Sequence, residues 1–360
     1  MSRIRSLQAN MPKPSCEAIL VSSEVNQRYL TGFSYTDGYL LALPDTAYLL
    51  ADFRYIEAAR AAVSSDDCQV VMPDCSMLRY VASLLEEHHV NRLMYEEETL
   101  SCAMLGRYGD FFPKTVELVS GASKLLDGLR LHKDATEIEC IKRAQKITDD
   151  AFAHILNYIT PERTEVEVAL ELEFFMRSHG SEGTAFDTIA VSGKASALPH
   201  GVPRPVKLEK GFFTMDFGAR VDGYCADMTR TVVLGKADDD MKRLYNTVLS
   251  AQRAALDAAH EGIGCAEMDK IARILIDEAG YKGCFGHSLG HGVGLYIHEN
   301  PRLASSVPAD RVLSRGHVVT VEPGIYVEGK YGCRIEDMIT VLDDGTVYNF
   351  TKSPKELIEL

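Results

Sequence analysis

The segment GFFTMDFGARVDGYCADMTRTVVL, residues 211–234, reads as two apolar β-strands joined by a turn, with one aspartate on each arm. Gly211 to Phe217 delivers Asp216, the turn runs through Arg220, Val221, Asp222 and Gly223, and the next strand delivers Asp227. Strand side chains alternate between faces, so two paired arms can aim both carboxylates into one cavity. A turn or edge aspartate is the commoner case. Asp216, however, follows Phe212, Phe213 and Met215, a setting in which an unpaired carboxylate is costly.

Similar residues recur downstream. The stretch GHSLGHGVGLYIHENP, residues 286–301, carries His287, His291 and His298 among glycines. A phosphate-cradling loop would need a preceding strand, a helix opening at the glycines and an acidic residue ~20 positions later. HExxH is absent, which excludes a thermolysin-like zinc helix. The glycines instead let the backbone pass close to a ligand while His291 turns inward. Next, Val318 to Tyr326 is an apolar run broken by Glu322, Pro323 and Gly324, and Cys333 to Met338 contains Arg334, Glu336 and Asp337. Arg334 and Glu336 have the spacing of one strand face, with Asp337 on the other, so Arg334 is a candidate ion-pair partner or substrate clamp. Asp216, Asp227, His291, Glu322 and Glu336 together suggest one metal site. Four converging carboxylates repel one another unless cations lie among them, and the chemistry this suggests is metal-assisted hydrolysis.

Bulk properties narrow the setting. With 360 residues, 46% of them hydrophobic, the chain can bury a large core and is expected to form two domains. A formal charge of −14 argues against nucleic acid as a partner, which would need clustered Lys and Arg. Nine cysteines form no CxxC pair, and an odd number suits a reducing compartment with free thiols. Arg3 and Arg5 are not followed by an apolar core of a signal peptide, and no stretch approaches the ~20 apolar residues of a membrane span. The expected location is cytoplasmic, with no membrane partner.

The pattern changes near residue 125. Before it, Tyr39 to Leu43, Ala47 to Leu50, Cys68 to Met72 and Arg92 to Tyr95 read as strands, interleaved with helices at Arg54 to Val63 and Met77 to Glu87. This alternation suggests a small α/β domain over residues 1–128, followed by a larger domain over 129–360. Asp134 with Glu137 forms a capping-box pattern, and Ile138, Ile141, Ala144, Thr148, Ala151, Ile155 and Ile159 recur at helical spacing up to Pro161. Further helices are expected at Glu165 to Ser178, Asp239 to Gly262 and Cys265 to Ala279. The run Asp238 to Asp240 reads as a helix start, and no internal repeat is visible.

Taken together these motifs resemble the pita-bread metallopeptidase family that includes aminopeptidase P and Xaa-Pro dipeptidase (prolidase). They are Asp216-Phe-Gly-Ala, Gly223 to Thr231, Gly290 to Pro301, Val321 to Tyr326 and Arg334 to Asp337. Ser192 to Gly201, with His200, resembles the family's substrate-binding histidine segment, and Tyr29 to Phe33 with Asp52 to Tyr55 resembles its creatinase-like amino-terminal domain. The resemblance implies an α+β pita-bread catalytic domain behind a smaller α/β domain, and a homodimer. It implies two divalent cations: Asp216 and Asp227 with Glu336 hold one, Asp227, His291, Glu322 and Glu336 the other. A mostly carboxylate donor set suits Mn2+ best, with Co2+, Fe2+ or Zn2+ also compatible. It further implies that His298 donates to the scissile carbonyl, Glu322 shuttles a proton, His200 and His287 line the substrate cleft, and Tyr326 and Arg334 orient Glu336 and the bridging ligands. The expected reaction is hydrolysis of the Xaa-Pro bond at the N-terminus of proline-containing peptides. A prolidase restricted to dipeptides is the alternative, and a non-catalytic partner-binding protein of the same fold is a more distant one.

Overall fold

The computed structural model describes residues 2–64 and 66–360, and the chain divides into two compact units, Met1–Arg130 and Leu131–Leu360. In the first unit, strand Ala18–Val21 lies at the centre of a six-stranded sheet. It runs antiparallel to Tyr39–Ala42 and parallel to Arg92–Tyr95. Ala47–Leu50 and Gln69–Val71 extend one side, and Glu117–Ser120 the other. All four residues of Ala18–Val21 are buried, as a strand covered on both faces requires. Helix Met77–Glu87 turns Leu78, Val81, Leu84 and Leu85 inward at helical spacing. The four strands expected here form within one residue of their expected ends. Ala18–Val21 escaped notice because a four-residue apolar run shows no period.

The second unit begins with two capped helices. Asp134 accepts from Glu137 N while Glu137 accepts from Asp134 N, opening Ala135–Tyr158, and Thr164 with Glu167 repeats the device at Glu165–Ser178. Three antiparallel strands follow, with Gly211–Phe217 between Ile189–Ser192 and Met228–Leu234. The same plan then recurs. Helices Asp239–Ala258 and Cys265–Ile276 precede Gly290–Gly292, Val318–Val321 and Asp337–Val341, with Val318–Val321 in the middle. The architecture therefore repeats where the sequence shows no repeat. Backbone hydrogen bonding and burial pattern build such a unit, and neither needs particular side chains. Each half has its own core, Phe213, Met215 and Phe217 packing with Phe152, Leu172 and Met176 in the first, and Val319, Val321 and Ile339 with Leu244, Val248 and Met268 in the second.

Several expected boundaries move. The helix from Asp239 stops at Ala258, where His260 Nδ1 donates to Ala258 O and so occupies a terminal carbonyl. The helix from Cys265 stops at Ile276 and loosens into a turn over Asp277–Tyr281, in which Gly280 adopts φ 94°. The hairpin at 211–234 forms with Met228 opposite Phe217, but its tip peels away as a separate ladder of Ala219–Val221 with Tyr224–Cys225. Gly218 sits at the branch, where a Cβ would lie 1.8 Å from Ala226 O. Asp227 thus stands just before its strand. The nine cysteines are free thiols, and no helix among the described residues is long and apolar enough to cross a membrane.

The three-stranded sheet of the first half and the five-stranded sheet of the second, which Glu299–Leu303 and Val347–Asn349 complete at its edges, are joined by Arg230. Its guanidinium, 1% exposed, donates to Thr229 O, Glu336 O, Ser353 O and Pro354 O and pairs with Asp337 at 2.9 Å. Asp337 also accepts from Asn349 and Lys355, so it faces away from Glu336 as the strand alternation predicts. Replacing Arg230 with Met strands these buried acceptors and is expected to cost about 3–5 kcal/mol. The urea midpoint of the variant measures this, and an unchanged midpoint would remove Arg230 from the account.

Candidate metal centre

The doubled architecture brings the expected ligands to one place. Asp216 lies near the end of the first middle strand and Glu322 just beyond the second, while Asp227 and Glu336 each immediately precede a third strand. His291 comes from the short strand Gly290–Gly292, where a Cβ on Gly290 would lie 2.0 Å from Thr320 O and one on Gly292 2.2 Å from Asn300 O. Only glycine on both sides lets His291 approach so closely. Ligand atoms of Asp227, His291 and Glu336 lie within 4.8 Å of one another. His291 Nε2 is 3.5 Å from Asp227 and 3.3 Å from Glu322.

The electrostatics are those of a site that wants cations. Burial first, then the charges of Glu336 and Asp216, push the Asp227 carboxyl well above the usual range. Burial, then Glu322 and Asp216, do the same to Glu336. Burial raises Glu322 to about 8, and burial lowers His291 to about 3. His291 is therefore neutral. Its Nδ1 is 3.0 Å from Gly292 O, and since a carbonyl only accepts, Nδ1 carries the proton. The bare lone pair of Nε2 then faces two carboxylates, an arrangement that a divalent cation resolves. Asp216 adds a second sign, because its Oδ1 is buried with no hydrogen-bond partner among the described residues. The donor set fits divalent cations.

Arg334 organises one side of the centre. It donates to Asp216 Oδ2 at 2.6 Å, to Thr229 Oγ1 at 2.9 Å, to Tyr326 Oη at 2.7 Å and to Pro199 O at 3.2 Å. Thr229 passes its own proton to Glu336 at 2.7 Å. Arg334 thus holds Asp216 directly and reaches Glu336 only through Thr229, a narrower role than the one expected for Arg334 and Tyr326. Arg334 ends strand Tyr331–Arg334 and Glu336 sits in the connection to the next strand, so they share the cavity without sharing a continuous strand. Thr320 is a second relay, accepting from His291 N and donating to Glu322. Neither threonine was singled out from sequence. Their only signal is placement two residues from a ligand at the end of the same strand.

All five residues open onto a cavity of about 800 Å³ that is also lined by His200, His287, His298, Arg302 and Arg334. His298 is exposed, with its ring 4.4 Å from that of His291 in an edge-on arrangement, and burial followed by the Arg302 charge lowers its proton affinity. His287 lines the cavity with both ring nitrogens already engaged. Its Nδ1 donates to Ser288 O, and its Nε2 accepts from Tyr326, whose hydroxyl in turn accepts from Arg334. With both nitrogens occupied, His287 presents a ring surface to the cleft. Val166, Ala169 and Leu170 of helix Glu165–Ser178 supply an apolar wall, and the sequence reading missed these as well as Arg302.

The chain matches the models of two families, metallopeptidase family M24 over residues 139–343 and the creatinase/prolidase N-terminal domain over residues 3–132. It is 34% identical to an Xaa-Pro dipeptidase of Pyrococcus furiosus, covering 99% of each chain. Among solved structures it is similar to an Xaa-Pro dipeptidase from Bacillus anthracis, with a TM-score of 0.94, 41% identity and 99% of each chain covered. An X-Pro aminopeptidase from Thermotoga maritima gives a TM-score of 0.89 and 34% identity, covering 99% of this chain and 100% of that one. The buried carboxylate and imidazole donors, the doubled helix-pair and sheet architecture and these likenesses agree: the chain belongs to metallopeptidase family M24, with a pita-bread catalytic domain behind a creatinase-like N-terminal domain.

Proposed function

We propose that this protein is a metal-dependent exopeptidase that hydrolyses the Xaa-Pro bond at the N-terminus of peptides, with the hydrolytic domain in residues 129–360. The observation that carries the reading is the unprotonated Nε2 of His291 set against buried carboxylates on the floor of an open cavity. Asp216, Asp227, His291, Glu322 and Glu336 would hold two divalent ions, Mn2+ fitting the oxygen-rich set best. When bound, such ions supply Lewis acidity, acidifying water and drawing charge from a carbonyl. His298 stands on the open side as a neutral donor for the substrate carbonyl oxygen. Glu322, unprotonated once it holds an ion, would take up a proton and return it to the leaving nitrogen. Arg334 pairs with Asp216 and fixes its direction. His200, Arg302 and the apolar wall bind and orient the peptide.

Peptide length separates two readings. The sequence motifs led to an aminopeptidase that accepts longer peptides, whereas the Bacillus anthracis and Pyrococcus furiosus proteins named Xaa-Pro dipeptidase favour restriction to dipeptides. Mn2+-loaded protein incubated with Ala-Pro, Ala-Pro-Ala and Ala-Ala-Ala, with products weighed by mass spectrometry, decides between them. Cleavage of Ala-Pro alone identifies a dipeptidase, cleavage of Ala-Pro-Ala the aminopeptidase, and cleavage of Ala-Ala-Ala would sink proline selectivity. A homodimer belongs to the same proposal and is read by light scattering.

Asp227→Asn is expected to lower both bound metal and kcat/KM, the latter by at least about a thousandfold, consistent with loss of metal-assisted catalysis. Wild-type turnover in the variant would refute the ligand assignment. A further consequence concerns pH. The Asp227, Glu322 and Glu336 carboxyls hold their protons more tightly in the fold than in the unfolded chain. Their contribution to stability is therefore full below about pH 3.8 for Asp227 and about 4.5 for the glutamates, and is lost as pH rises, through about 8 for Glu322. In EDTA, the share of Tm that these groups supply should fall across that window. Mn2+ should restore Tm by an increment that grows with pH, because binding displaces the protons. An increment independent of pH would contradict this.

A further inference from the structure

The segment between Ser192 and Arg204 forms one wall of the cavity through Pro199, His200, Gly201, Val202 and Pro203. Both of its ends are bound to one side chain. The Glu165 carboxylate, 0% exposed, accepts from Ser192 N at 2.7 Å and Ser192 Oγ at 2.8 Å at one end. At the other it accepts from Arg204 N at 2.9 Å, Nε at 2.9 Å and Nη2 at 2.6 Å. The opening turn of its helix answers in kind, with Glu165 N donating to Val206 O and Val166 N to Arg204 O. Farther along, Arg334, which also holds Asp216, donates to Pro199 O, the carbonyl preceding His200. The base of the loop is thus fixed by Glu165 and its far part by a residue of the metal centre.

We propose that Glu165 is a positioning residue for substrate binding, clasping the two ends of the 192–204 loop so that His200 and Val202 stand at a fixed height over the cleft. This rests on the peptidase reading above. Five hydrogen bonds to one buried carboxylate stabilise the fold wherever they occur. Three features tie these to the site. The carboxylate bonds both ends of a cavity-lining segment, it lies one residue before Val166 on the same cavity, and it touches none of the expected metal ligands. Loss of the clasp should therefore weaken the hold on substrate and leave the chemistry and the metal in place.

The test is Glu165→Gln in the full-length, Mn2+-loaded protein. A glutamine turns an NH2 towards groups that are all donors, so one end of the loop is released. KM for Ala-Pro should rise by about tenfold with kcat within about twofold, as expected when binding common to ground and transition states is lost. Bound manganese should not change. Trypsin should cut faster after the exposed Lys194, inside the loop, with no general gain in cleavage elsewhere. Ser192→Ala, which removes the hydroxyl's bond to Glu165 and the one it accepts from Glu209 N but leaves Ser192 N and Arg204 on the carboxylate, should move KM and the Lys194 cut in the same direction by about threefold, and it decides the matter if the glutamine variant does not fold. Unchanged KM and unchanged cleavage at Lys194 would overturn the proposal, as would a fall in kcat at constant KM or a loss of manganese. If the wild-type protein cleaves no Xaa-Pro peptide, the peptidase reading fails, and the Lys194 cut with its manganese content still decides the clasp.

Discussion

Mutual repulsion among buried carboxylates is the constraint on which the catalytic unit turns. Asp227, Glu322 and Glu336 all hold their protons against the ordinary tendency of such groups, and the common cause is removal from water next to like charges. A fold that wanted only stability would replace them with apolar side chains. Holding them together takes a rigid frame, and two sheets provide it, tied where Glu336 N donates to Thr229 O and where Arg230 binds the backbone of both. The two arginines divide the work. Arg334 faces the cavity and neutralises Asp216, whereas Arg230 lies behind it and pairs with Asp337. A deletion at either would be felt at the centre, but by different routes, through charge at Arg334 and through the spacing of the two ladders at Arg230.

Much of this could be read from the chain. Asp216 was legible because a carboxylate beside Phe212, Phe213 and Met215 has no cheap structural explanation, Asp227 as its partner on the second arm of the hairpin, and the helix Ala135–Tyr158 because cap and period agreed. Harder to see was anything that depends on distance in space. Thr229 and Thr320 are ordinary strand residues until their hydroxyls are found between a ligand and its support. The engaged Nε2 of His287 follows from Tyr326, 39 positions away. Glu165 looked like a helix-opening glutamate, and its bonds to Ser192 and Arg204 appear only once the loop has folded back. The doubling of helix pair and sheet left no trace in side-chain identity, since a β-ladder asks only for apolar residues of suitable spacing.

That doubling has a consequence for how the protein comes apart. The first half brings two carboxylates, the second an imidazole and two carboxylates, and each half packs its own core. Neither half holds a complete donor set, so an ion bound at the centre would be a non-covalent cross-link between two halves that otherwise meet through Phe212 and Val233 in the second core and through Arg230. Chelation would then act less like removal of a prosthetic group than like cutting a tether. The halves would keep their hydrophobic interiors and the Arg230 tie while losing one of the links that hold them in register. Metal occupancy would set how far unfolding of the catalytic unit is a single event, and a calorimetric transition that broadens or splits on stripping the ion would be the trace of a seam running through the active site.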